Sequence, residues 1–98
     1  MTLTERGQKY YNDKGCVACH SLDGTLKVGP TWKGLFGKTG EFDDGKQYTA
    51  DENYLRESIL NPNAHIVKGF AKGVMPSMQG QLTEDQLNAM IEFIKGLK

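Results

Sequence analysis

Cys16, Cys19 and His20 stand in the run Cys16-Val17-Ala18-Cys19-His20, and C-x-x-C-H is the spacing of covalent haem c attachment. Two thiols three positions apart can each form a thioether to one of two neighbouring haem vinyl groups. The next residue then sits beneath the iron, where an imidazole nitrogen can coordinate it. A tethered haem cannot leave, so a protein can use it repeatedly to carry electrons. Other chemistries fit these residues less well. A structural zinc site needs about four ligands, whereas the chain has 2 cysteines and 2 histidines, the second being His65. A thioredoxin-like pair belongs near a βαβ pattern, which is not seen here, and a plain disulfide leaves His20 as a coincidence.

The elements that must hold this motif show in their start signals. A capping box, Thr followed three residues later by Glu or Gln, predicts three helices. Thr2 with Glu5 opens one that runs to about Lys14 and stops at Gly15. Thr49 with Glu52 opens a second, carrying Leu55, Ile59 and Leu60 and ending before Asn61-Pro62. Thr83 with Gln86 opens a third, where Leu87, Met90, Ile91, Ile94 and Leu97 share one face. A further short helix is expected from Pro30, a good first-turn residue, to Gly37. Segments 21–29, 37–48 and 68–82 read as loops, and no long alternating strand is expected, so the fold class is all-α. Gly7 costs its helix about 1 kcal/mol against alanine. Close approach of the last helix is the expected reason, with Tyr10, Tyr11, Phe93 and Ile94 filling the crossing.

The length, 98 residues, predicts one domain over 1–98. Only 38% of residues are hydrophobic and 12 are glycine, a thin core that a haem with two apolar faces would supplement. Charges balance at 12 basic and 12 acidic, which argues against nucleic acid as a partner. No apolar run is long enough to span a membrane. Met1-Thr2-Leu3-Thr4 does not read as a signal peptide. Because haem c attachment ordinarily occurs outside the cytoplasmic membrane, the chain is expected to be a mature protein or an excised domain with an added start Met. Its expected location is the periplasm or the outer face of the membrane.

Over nearly its whole length the chain resembles the small single-haem class I cytochromes c. The resemblance rests on Cys16-x-x-Cys19-His20, on Lys27-Val28-Gly29-Pro30 followed by Gly34-Leu35-Phe36-Gly37, on Tyr48-Thr49, on Asn61-Pro62 and on Val74-Met75-Pro76. It implies a cytochrome c fold, with crossing terminal helices and two or three shorter helices and loops around one covalently attached haem c. It also implies that His20 is the proximal ligand and that the Pro30 carbonyl accepts its other N–H. Trp32, Tyr48 and Asn53 become candidates for hydrogen bonds around the haem propionates. For the distal ligand, Met75 in its Met-Pro pair is favoured over Met78 and over His65. A His/Met pair fills both axial positions and raises the reduction potential.

The stretch Tyr48 to Pro62, with Val74-Met75-Pro76-Ser77-Met78 and Gly80-Gln81-Leu82, looks like the cytochrome c domain fused to subunit II of some bacterial haem-copper oxidases, although an aromatic residue is expected there at Met78. The copper ligand set of such a subunit is not within this chain. The main expectation is therefore electron entry to a terminal oxidase. A freestanding cytochrome c shuttling between respiratory complexes is the alternative, and a catalytic or gas-sensing haem protein with an open sixth site a more distant one. The expected partners are redox proteins: a quinol-oxidising complex or cytochrome as donor, and a copper centre of a terminal oxidase as acceptor. Val17-Ala18, Lys27-Val28 and Lys72-Gly73-Val74 are expected to frame the docking rim.

Overall fold

The computed structural model describes residues 2–25, 27–70, 73, 75, 78 and 80–97. Three α-helices and one small hairpin make up its regular structure: α1 Leu3–Asp13, a 3₁₀ turn Cys16–Ala18, β1 Thr39–Glu41, β2 Gln47–Thr49, α2 Glu52–Leu60 and α3 Glu84–Lys95. The arrangement is mostly helical, as expected.

Two of the expected capping boxes are present. The Thr2 backbone N–H donates to Glu5 Oε1 at 2.9 Å and the Glu5 N–H to Thr2 Oγ1 at 3.1 Å. Thr83 and Gln86 exchange the same pair at 2.9 and 3.1 Å. Each box satisfies two backbone donors that would otherwise face water or nothing. Thr83→Ala should therefore lower unfolding stability by about 1 kcal/mol. Chemical denaturation would check this, and an unchanged midpoint would mean that the cap is idle.

α1 and α3 cross at Gly7. A Cβ built there would lie 2.1 Å from the Ala89 carbonyl oxygen and 2.6 Å from Phe93 Cβ. The missing side chain is thus what lets the two helices meet. Around the crossing Tyr11, Phe93 and Ile94 are buried and Tyr10 is partly so. Leu87, Met90 and Ile91 extend the same apolar face of α3, and Leu55 and Ile59 of α2 join the cluster. Charged side chains tie α2 to α3 at its rim. Arg56 donates to Glu84 at 2.6 Å and to Asn88 at 3.0 Å, and Lys95 bonds Glu52.

Three expectations are corrected. α2 is capped by Asp51, whose carboxylate accepts from the Tyr54 N–H at 2.8 Å. Thr49 pairs instead with Thr39 in the hairpin, so a cross-strand ladder has taken the residue that a local signal assigned to the helix. Segment 37–48 is accordingly not all loop. No helix forms from Pro30 to Gly37. Single turns close there through Leu35 N–H to the Trp32 carbonyl at 3.1 Å and Lys38 N–H to the Leu35 carbonyl at 3.0 Å. Gly34 and Gly37 have φ of 66° and 84°, a left-handed conformation that ends any helix begun at Pro30.

Candidate functional site

The motif lies where α1 gives way to the 3₁₀ turn. Gly15, with φ of 81°, redirects the chain. The Cys16 carbonyl then accepts both the Cys19 N–H at 3.1 Å and the His20 N–H at 2.9 Å. This winds five residues into one compact knot. Both thiols are unbridged; Cys16 is buried and Cys19 is partly exposed. Burial pushes the Cys16 thiol above its ordinary pKa, an effect offset in part by a backbone hydrogen bond.

His20 is held on every side. Its Nδ1 lies 2.7 Å from the Pro30 carbonyl oxygen. A carbonyl only accepts, so Nδ1 carries the proton and Nε2 keeps a free lone pair, the form a metal ligand needs. Burial lowers the imidazole pKa and the Pro30 bond works against it; the net effect favours the neutral ring. One face stacks on Trp32 at 5.2 Å between centroids and 27° between planes. Against the ring also lies Gly29, where a Cβ would come within 2.6 Å of His20 Cε1. The His20 carbonyl accepts from the Tyr11 hydroxyl. The Pro30 loop is pinned in turn by Gly29 N–H to the Cys19 carbonyl at 2.9 Å and Trp32 N–H to the Ser21 carbonyl at 2.8 Å. Buried Ser21 donates to the Thr25 carbonyl at 2.7 Å and lies 2.8 Å from Thr31 Oγ1.

Cys19, His20 and Pro30 open onto a cavity of about 880 Å³, partly open to solvent, whose wall includes Val28, Leu35, Leu55, Ile59, Phe70 and Ile94. An apolar wall, two free thiols and an imidazole with its lone pair available suit a covalently held haem. Trp32 and Met75 line the same cavity. Among the distal candidates His65 also lines it. Met78 instead packs against the core, and its N–H lies 3.3 Å from the Ile59 carbonyl.

Tyr48 and Asn53 stand apart from this wall. Asn53 is exposed on α2. Tyr48 stacks at 4.6 Å on Tyr54, and Tyr54 is the residue that lines the cavity. Burial, with Tyr48 beside it, pushes the Tyr54 phenol well above its ordinary range, so it stays a neutral hydroxyl. The sequence reading missed Tyr54 although it precedes Leu55 on the inward side of α2. Of the expected rim, Val17 and Val28 are 37% and 51% exposed, and Lys27 Nζ donates to the Val17 carbonyl at 2.9 Å. Lys72, Val74, Pro76 and Ser77 lie outside the described residues.

Fold and site together define a haem-attachment protein built on crossed helices. A sequence model of the family Cytochrome c matches residues 4–98, and the chain belongs to that family, which binds one covalently attached haem c through the C-x-x-C-H set. Cytochrome c 2.1 of Caenorhabditis elegans is 35% identical over 72 residues, 63% of this chain and 64% of the relative. The aligned part is thus under two thirds of that relative's length. Cytochrome c2 of Rhodospirillum rubrum is 29% identical, with 87% of this chain and 90% of the relative covered. The solved structure of cytochrome cH from Methylobacterium extorquens superposes with a TM-score of 0.65 at 28% identity, covering 94% of this chain and 96% of that one. Among the described residues no helix is long and apolar enough to cross a membrane.

Proposed function

We propose that this chain is a one-electron carrier, not an enzyme, with His20 and Met75 as the two axial ligands of its haem. It works as a freestanding cytochrome c outside the cytoplasmic membrane. The observation that carries the reading is that His20, Cys19 and Met75 line one apolar cavity. The haem supplies reversible one-electron storage at its iron. His20 contributes a neutral imidazole whose basicity the Pro30 carbonyl raises. The Met75 thioether favours the ferrous state and lifts the potential relative to two imidazoles. With His20 and Met75 both holding the iron, oxygen and peroxide would find no place to bind. Val28, Leu35, Ile59 and Phe70 give the haem an apolar wall to pack against.

The freestanding reading replaces the oxidase-subunit expectation as the better supported one. Two relatives that align over most of their length are named cytochrome c2 and cytochrome cH. The redox partners would be a quinol-oxidising complex or a cytochrome on one side and a terminal acceptor such as an oxidase copper centre on the other.

The test is the absorption spectrum of the ferric and reduced holoprotein, with Met75→Ala beside it. The parent should show the Met–iron charge-transfer band and resist carbon monoxide, and the variant should lose the band. A parent that lacks the band and binds carbon monoxide readily would make the sixth site open and the carrier reading wrong.

A further inference from the structure

We propose that His65 is a reserve ligand for the iron, taking the axial position when Met75 leaves it. The inference rests on the reading of Met75 as the partner of His20. Apart from attachment residue Cys19, the described side chains on the cavity wall that offer iron a ready lone pair are His20, Met75 and His65. Tyr54 shares the wall, but as a ligand it would have to ionise, which its burial opposes.

His65 is placed for exchange by what holds it and by what does not. Its Nε2 lies 3.4 Å from Glu57 Oε1, with the two side chains 44% and 51% exposed, a contact of little energetic weight in water. Its ring lies on Phe42, 4.7 Å between centroids and 18° between planes. The backbone beside it is anchored more firmly. The Asp43 N–H donates to the Ile66 carbonyl at 2.7 Å and the Lys68 N–H to the Glu41 carbonyl at 2.9 Å. The side chain can therefore rotate off Phe42 toward the cavity while the chain that carries it stays in place.

The chemistry gives the exchange a direction. A thioether is a soft donor that prefers ferrous iron, and an imidazole is content with either state. Oxidation thus weakens the Met75 bond more than it would weaken a bond to His65. In the exchange the bond from iron to Met75 sulfur breaks and one to His65 Nε2 forms. No electron moves, and the new bond uses the Nε2 lone pair of the neutral imidazole. The product has two imidazole ligands, a lower potential than the His/Met form, and no opening for an external ligand.

The experiment compares ferric holoprotein of Met75→Ala with that of Met75→Ala/His65→Phe, phenylalanine keeping the stack on Phe42. The single variant should be low-spin by electron paramagnetic resonance, with the signature of two nitrogen ligands. The double variant should become high-spin and bind added imidazole about tenfold or more tightly, because the internal competitor is gone. A single variant that is already high-spin overturns the proposal, as does a double variant that stays low-spin. A second comparison keeps Met75. On warming, the parent should trade its Met–iron band for a low-spin form and His65→Phe for a high-spin one; identical behaviour of the two would also overturn it. If the unheated parent has no Met–iron band, the ligand assignment to Met75 fails instead, which is a separate result.

Discussion

Gly7→Ala should lower the stability of the holoprotein by about 3 kcal/mol, although alanine is the better helix former by about 1 kcal/mol. The sign is decided by the crossing of α1 and α3. The added carbon would sit 2.1 Å from the Ala89 carbonyl oxygen and 2.8 Å from its carbon, both backbone atoms of α3, and 2.6 Å from Phe93 Cβ. None of these is the free end of a flexible side chain, so the helices must separate. Separation loosens Tyr11, Phe93 and Ile94, which are nearly inaccessible at 3%, 5% and 1%. For a chain of this size the melting temperature should fall by roughly 12–24 °C. Gly96→Ala is the control, since a Cβ there meets only the Phe93 and Glu92 carbonyl oxygens at 3.6 and 3.9 Å. Equal melting temperatures for the two variants would show that the helices do not need glycine where they cross.

The second large effect is expected at Gly29, and it is chemical before it is structural. A methyl group there would lie 2.6 Å from His20 Cε1, 2.9 Å from Nδ1 and 3.2 Å from Nε2. Trp32 is stacked on the same ring, so the imidazole has little room to retreat. Either the ring tilts and its Nδ1 bond to the Pro30 carbonyl breaks, or the loop moves and the Gly29 bond to the Cys19 carbonyl breaks. Loss of the Pro30 bond makes the imidazole a weaker donor. Comparable losses of an outer partner cost roughly 10–100-fold in metal affinity. Gly29→Ala should therefore yield ferric protein with a labile proximal ligand, a partial high-spin signal and a raised reduction potential. Spectropotentiometry reads all three. A variant with the parent's spectrum and potential would show that the contact between Gly29 and His20 is slack.

Both effects concern glycines, and the two were not equally legible. Gly7 stands out in the sequence because it interrupts an otherwise good helix, which asks for a reason. Gly29 stands in a loop where glycine needs none, and only the folded chain brings it against His20. The second helix shows a similar limit. Thr49 with Glu52 meets the capping pattern, yet Thr49 is drawn into pairing with Thr39, and Asp51 caps in its place. The pattern measures local hydrogen-bonding options, while the hairpin that outcompetes it is set by a partner strand beyond any local window. The propionate candidates separate for the same reason. The family resemblance implies Trp32, Tyr48 and Asn53; of these Trp32 lines the wall, and Tyr54 is the tyrosine that joins it there.

By itself the sequence determined the cofactor and much of the scaffold. Cys16, Cys19 and His20 act within one turn, so their chemistry is written in their spacing, and the Thr2 and Thr83 capping boxes and the apolar face of α3 are likewise decided by residues a few positions apart. Only the tertiary structure decided which distant groups share the cavity. It put Met75 and His65 on the wall with His20, packed Met78 against the core and left Asn53 exposed. The wall is assembled from α2, Ile94 of α3, the segment between the 3₁₀ turn and β1, and the segment that follows α2, and the burial of apolar surface that brings such segments together depends on the whole chain's packing, which no local pattern encodes.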